Sequence, residues 1–426
     1  LLLWRRERCM NDNEVLIVGA GPVGLLAALG LLQAGVSVTV VEAAAELNDS
    51  PRAAIYFAPS LIALRELGML DDLDKLSLRV NRFGQRVPDY GYESVISAEC
   101  MTGLTFDYQL HCGQDVLCRV ALDHVRRLGG TVLFEHKLIG FEQDSEGVRA
   151  TVETPHGPRG IRAKWLIGAD GARSTVRHLM DVEFEGFTWP NRFIATNVHC
   201  DFESLGYQKA NFVCDPVYMA VIAILGPHGP WRVTYQEDGS LPVESFMDRL
   251  PERYAFYMPE GMPYEVVSAS PYTLHQRCAT TLRAGRVLLA GDAAHATNPC
   301  GGLGLTTGFW TAMILSDVLA AVMRGEEDES ILDRYSGERR RIFWEVTSPA
   351  ATRNKKMLEE SDPEQRLKDI AEVERAVHDV NVARQFMSFP FKVIGDPLRE
   401  GSRWTNADPT AEWGIDLRNR TSQLVD

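Results

Sequence analysis

The stretch Gly19-Ala20-Gly21-Pro22-Val23-Gly24 constrains this chain most, because of what stands on either side of it. Before it, Glu14–Val18 is an apolar run of strand type; after it, Leu25 to Gln33 reads as a helix, with Gly35 placed as a left-handed cap. Val36–Val41 is then a second strand rich in β-branched residues, and it ends at Glu42. A strand–loop–helix–strand unit of this kind implies a parallel sheet with right-handed crossovers. Each glycine removes a side chain: the first permits the turn, the second lets backbone reach a pyrophosphate, the third lets helix and strand pack closely. The helix N-terminus then holds the anion. Glu42, at the end of the second strand, can hydrogen-bond a ribose diol and disfavours a 2′-phosphate, so the ligand read from this unit is an adenosine dinucleotide, NAD or FAD.

A second glycine cluster lies far along the chain. Val287–Ala290 is a buried strand running into Gly291-Asp292-Ala293-Ala294-His295, and Asn298-Pro299-Cys300-Gly301-Gly302-Leu303-Gly304 leads to a helix over Thr307–Met323. Bare amides at that helix start stabilise negative charge, as on the N1–C2=O edge of a reduced flavin. Asp292 either accepts a hydrogen bond from a ribityl hydroxyl or caps the next helix. His295 is a packing or capping residue or a catalytic one, and Cys300 a reactive thiol or a small residue in a tight loop. Between the two clusters, Trp165–Ile167 delivers the chain into Asp170-Gly171-Ala172-Arg173-Ser174-Thr175-Val176-Arg177 at a third strand end, a further ligand loop or a plain turn and helix cap.

The remaining segments set the organisation. Ser60–Leu76 looks helical, residues 79–108 alternate in short runs, Asp115–Leu128 is helical and Thr131–Phe134 a strand. Gly140–Gln143, Val148–Glu153 and Arg159–Ala163 read as hairpin strands. Residues 188–275 carry dense aromatics and alternating strands such as Tyr218–Leu225 and Trp231–Tyr235, an antiparallel second domain. From Ile331 the chain is charged and helical, with an exposed helix near Pro363–Arg384. Because nucleotide-type elements occur at both ends, the domain they form must be discontinuous.

Composition excludes some partners. A net charge of −14 argues against nucleic acid, whose backbone calls for clustered Lys and Arg. No uninterrupted apolar run is expected to be long enough to cross a bilayer. The eight cysteines form no CxxC pair or metal spacing, so free thiols in a cytoplasmic protein without a metal are expected. Residues 1–9 are expected to be upstream translated sequence or a leader before Met10.

In this order and spacing the three motifs resemble those of the single-component FAD-dependent aromatic hydroxylases, the 4-hydroxybenzoate hydroxylase-like flavin monooxygenases, from Met10 to roughly residue 350. The resemblance implies an α/β fold: a Rossmann-like, discontinuous FAD-binding domain of the GR2 type (10–78, 109–187 and 276–350), an antiparallel-sheet substrate domain (79–108 and 188–275) and a C-terminal helical segment (351–426). It assigns FAD to Gly19, Gly21, Gly24, Glu42, Arg52, Gln114, Asp170, Asp292, Gly302, Gly304, Leu305 and Thr306. Thr306 stands where many members have Asn, and Thr311 where Asp is common.

The activity implied is hydroxylation of an aromatic, phenolic small molecule with NAD(P)H and O2, through a flavin C4a-hydroperoxide. A phenol reacts best as its phenolate, so a tyrosine or histidine relay or a cation belongs near the ring. Tyr218, Arg232 and Tyr235 are candidates for that role or ordinary half-buried sheet residues; Pro299 is expected to line the flavin face through its carbonyl. Rival readings are a Baeyer–Villiger enzyme or epoxidase, a halogenase or reductase on the same scaffold, or a flavin-binding redox protein without turnover. A homodimer is the expected assembly.

Overall fold

A computed structural model describes residues 13–49 and 53–412. Its first layer is an eight-stranded sheet. At the centre, Asn13–Val18 lies between Val38–Val41 and Gly157–Gly168; Thr131–Leu133 flanks the former and Val287–Leu289 the latter, all parallel. The antiparallel strands Lys137–Gln143 and Val148–Thr154 extend the sheet from Gly157–Gly168. Helix Pro22–Gln33 packs against both Gln114–Arg127 and Leu303–Met323. The central strands are accordingly unbroken apolar runs such as Val15-Leu16-Ile17, fully buried, as expected of a parallel sheet.

The helix Leu303–Met323 corrects one expectation. Its 21 residues, with mean hydropathy 1.5 in their most apolar window, are long and apolar enough to cross a membrane by length and composition. Most of that window is buried inside the protein, where it belongs to the same core as the central strands. A helix hydrophobic all round is what a core position selects as well.

The second eight-stranded sheet runs in the order His295–Ala296, Glu265–Ala279, Phe184–His199, Trp231–Asp238, Ala220–Ile224, Ala210–Val213, Arg82–Val87, Tyr92–Ser97. Its pairs are antiparallel except Ala210–Val213 with Arg82–Val87, which is parallel. Alternation gives it two distinct faces. Ile194, Val198, Ile222, Val233 and Tyr235 pack on Leu250, Tyr254 and Tyr257 of helix Phe246–Tyr257. The opposite face carries Ala195, Val221, Ala223, Arg232 and Thr234, and it lines a large cavity.

Two helices read as continuous are broken. Ser60–Leu76 is Ala58–Glu66 and Leu70–Asp74, parted at Gly68, whose φ of 72° no helix accommodates. Pro363–Arg384 is Pro363–His378 and Val380–Ser388; between them Asp379 leaves helical geometry and its carboxylate accepts the N–H of Asn381 at 2.8 Å, capping the second helix.

At the end of strand Trp231–Asp238, Glu237 is almost wholly buried between Arg192 and Arg249, at 2.8 and 2.7 Å. Burial pushes its carboxyl up, but the two guanidinium hydrogen bonds outweigh that and hold it below the usual range. Glu237→Gln should therefore destabilise the protein by about 3 kcal/mol at neutral pH. A group with a depressed pKa stabilises above its unfolded value and loses that contribution as pH falls. In urea titrations, the deficit of E237Q should shrink between about pH 5 and pH 3; a deficit independent of pH contradicts this.

Candidate active site

Loops leave the carboxyl ends of three neighbouring parallel strands side by side. The first follows Asn13–Val18, the second Gly157–Gly168, the third Val287–Leu289. Backbone bonds hold their starts together: Ala169 N–H donates to Val18 O at 2.8 Å and Ala290 N–H to Gly168 O at 2.9 Å. This is where open α/β sheets bind ligands. Here the loops border a cavity of about 1230 Å³, which extends without interruption to the second sheet.

The glycines of the first loop divide their roles as their spacing predicts. A Cβ at Gly19, where φ is 107°, would meet Ala169 O at 2.4 Å, and one at Gly24 would meet Gly19 O at 2.0 Å. At Gly21, the residue before helix Pro22–Gln33, a Cβ would meet nothing within 4 Å, because the cavity lies there. Two glycines thus serve the fold and one serves whatever fills the space. Glu42 lines the cavity, its two carboxylate oxygens accepting the N–H groups of Ala20 at 2.8 Å and Ala44 at 3.0 Å. Fixed in that way, each oxygen keeps lone pairs for a sugar diol. Gln114, first residue of helix Gln114–Arg127, lines the same space. Arg52 lies outside the described residues.

In the second loop Asp170 borders the cavity while capping helix Thr175–Leu179: it accepts Ser174 Oγ–H at 2.5 Å and Thr175 N–H at 2.7 Å. Burial raises its pKa, opposed by those hydrogen bonds. Arg177, which the motif gave no reason to single out, straps two loops together. Buried over the Phe184 ring, it donates to Ala172 O at 2.8 Å and to Ala293 O at 2.9 Å. Asp292, in the 3-10 turn Gly291–Ala293, is exposed and faces the cavity.

The late glycine turn closes the far side. Pro299, Gly301, Gly302, Leu303, Gly304 and Leu305 line the cavity, and helix Leu303–Met323 begins among them with its first-turn amides lacking intrahelical partners. The Pro299 carbonyl accepts Gly302 N–H at 3.0 Å. Thr306 departs from this group: it is buried, its hydroxyl donates back to Gly302 O at 3.1 Å, and its side chain does not line the cavity. His295 is also buried; desolvation pushes its pKa down to about 3. Thr311 Oγ donates to Thr307 O at 2.8 Å, so its lone pair accepts His295 Nε2–H at 2.8 Å, giving a neutral packing histidine. Burial raises the Cys300 thiol, leaving it unreactive.

On the second sheet the three aromatic and cationic candidates part company. Arg232 lines the cavity, buried to 7% exposure, and its Nε and Nη2 both donate to Asn197 Oδ1 at 2.9 Å. Asn197 is its direct cross-strand partner. Burial lowers the Arg232 pKa to about 10, so the cation persists at neutral pH. Tyr235 is three residues along the same strand and therefore on the other face, buried against helix Phe246–Tyr257. Tyr218 stacks on Phe256 at 4.6 Å and donates to Glu252 at 3.2 Å, also away from the cavity. Neither tyrosine lines the cavity. Tyr272, unforeseen, does line it, as do residues of the C-terminal segment such as Met357, Val373, Ala376 and Phe386.

The cavity fits FAD: a bare glycine at a helix start, a carboxylate at the second strand end, and a second helix start at the opposite wall occupy one continuous space. Comparison with known proteins agrees. Residues 12–350 match the FAD binding domain family. The chain is 43% identical over 384 residues to the para-nitrophenol 4-monooxygenase of Pseudomonas sp. (strain WBC-3), across 88% of this chain and 94% of that one. It is 40% identical over 382 residues to the 6-hydroxy-3-succinoylpyridine 3-monooxygenase HspB of Pseudomonas putida (strain DSM 28022 / S16), across 89% and 97%. The crystal structure of p-nitrophenol 4-monooxygenase PnpA from Pseudomonas putida DLL-E4 superposes with a TM-score of 0.87 at 41% identity, across 90% of this chain and 98% of that one. The chain belongs to the FAD binding domain family and is an FAD-dependent monooxygenase.

Proposed function

We propose that the protein hydroxylates a phenolic ring, or a hydroxypyridine, bound against the second sheet with Arg232 facing its oxygen. The single observation that carries this reading is the buried Arg232 cation, which lines the same cavity as Gly21. A buried guanidinium stabilises a phenolate over its phenol, and the phenolate is the form that donates electrons to an electrophilic oxygen. Asn197 acts as the positioning residue, fixing the guanidinium through a neutral amide that leaves its charge undiminished. Para-nitrophenol and 6-hydroxy-3-succinoylpyridine, named for the two relatives, each carry a ring hydroxyl and an electron-withdrawing group, which suits such a cation.

Within this reading, the backbone at Gly21 holds the pyrophosphate and Glu42 the adenosine ribose, while Gly19 and Gly24 allow the close packing that places them. Gln114, Asp170 and Asp292 flank the cofactor's middle, and the amides from Gly302 to Leu305 stabilise negative charge on the ring system. FAD, when bound, supplies the oxygen-activating chemistry, with electrons from NAD(P)H. The apolar wall formed by Ala195, Phe212, Val221 and Ala223 excludes water around the ring. The two sheets support a division into the cofactor unit 10–78, 109–187 and 276–350 and the substrate unit 79–108 and 188–275. The free cysteines among the described residues suit a cytoplasmic location.

Two experiments test these assignments. Gly21 has ordinary extended geometry at a helix N-cap, where Asp is a favoured residue. Gly21→Asp should therefore fold as wild type without FAD yet purify colourless, because its carboxylate takes the anion site. Gly24→Ala, with FAD stripped from both proteins, should lower Tm by about 3–6 °C. Yellow G21D protein contradicts the pyrophosphate assignment. In the second experiment, Arg232→Gln should keep FAD while phenol-stimulated NAD(P)H oxidation loses on the order of 10²-fold in kcat/KM. Asn197→Asp, isosteric but anionic, should lose affinity for phenolates and retain it for neutral aromatics. Unchanged stimulation in R232Q rejects the role of Arg232.

A further inference from the structure

The family match ends at residue 350, yet Arg353, Met357, Val373, Ala376, Phe386 and Met387 all line the cavity. These side chains come from Ser348–Leu358, Pro363–His378 and Val380–Ser388, helices that carry no cofactor motif. Val373 and Ala376 are buried and pack on Ile96 of strand Tyr92–Ser97, so the helices continue the substrate sheet's own layer at its edge. Polar ties fix them there. Tyr92 donates to Glu374 at 2.7 Å, Arg366 to Asp89 at 2.9 Å, and Arg384 to Cys100 O at 2.9 Å. Arg353 and Glu372 join two of the helices at 2.6 Å.

We infer that this helical layer is the wall that sets which aromatic substrates fit, with Ala376 and Phe386 as size-determining residues. The inference rests on the reading that the substrate ring lies at the second sheet. None of the loops assigned to FAD comes from this layer; Asn354 of its first helix touches the late glycine turn at Cys300 O, whereas Ala376 and Phe386 stand on the two later helices. The match to para-nitrophenol 4-monooxygenase takes in 88% of the chain, more than residues 12–350 contain, so it reaches into these helices. A fixed, close-packed wall discriminates by volume because adding a methylene to it forces strain, and removing several leaves room.

The test uses purified holoenzyme and a series of 4-alkylphenols from 4-methyl to 4-butyl, scored by stimulated NAD(P)H oxidation with product mass. Phe386→Ala should raise the ratio of kcat/KM for 4-butylphenol over 4-methylphenol at least about tenfold, and Ala376→Leu should lower it, both retaining FAD. Arg366→Ala, which loosens a tie without changing the cavity lining, should cost stability and leave the ratio alone. If F386A keeps FAD and fold while the ratio stays at the wild-type value, the wall does not set specificity and the inference is overturned. Should wild type show no stimulation by any phenol, it is the proposed reaction that fails, and the inference with it.

Discussion

Three loops emerge side by side from adjacent parallel strands, and they can do so only because nothing larger than hydrogen stands at Gly19 and Gly24. A methyl group at either would run into backbone, at 2.4 and 2.0 Å respectively. With those approaches allowed, helix Pro22–Gln33 starts directly against the strand, its N-terminal amides open onto the cavity, and Ala169 reaches Val18. Arg177 then ties the second loop to the third through two carbonyls. The helix start at Gly21 and the carboxylate of Glu42 border the cavity as a consequence of that packing.

The second sheet solves a different problem, how to hold the Arg232 cation on the apolar wall of the cavity with little exposure to water. Strand alternation puts Trp231, Val233 and Tyr235 into one core and Arg232 and Thr234 into the cavity. Paying the desolvation cost of a guanidinium is tolerable because Asn197 satisfies two of its donors. A neutral partner matters as much as a close one: a carboxylate in the same place would spend the charge internally.

How much of this was legible in the residues differs sharply between the two halves. The nucleotide unit carries its signal in glycines whose conformations are dictated locally, so spacing alone located Gly19, Gly21, Glu42, Asp170 and Asp292 on the cavity border, with Gly24 packed behind them against Gly19 O. Thr306, the fourth residue of its helix, turns its side chain back along the axis onto Gly302 O, so only its backbone remains for the role the resemblance implies. On the sheet, type was a poor guide where parity was a good one. Tyr235 and Arg232 cannot share a face, and that arithmetic was available from the strand itself. Ser60–Leu76 read as one helix because its leucines keep their period through Gly68, which ends it. The C-terminal helices gave no sign of bordering the cavity, since wall residues such as Val373 and Ala376 look like any helix core; only tertiary docking on Ile96 reveals the role.

One prosthetic group spanning both glycine turns at once is the claim on which the account stands, and amide hydrogen exchange with and without FAD measures it most directly. The account predicts that adding FAD slows exchange together over residues 19–24 and 301–306, which are far apart in sequence and face each other across one cavity. Protection confined to 19–24, with 301–306 exchanging at its FAD-free rate, would contradict it.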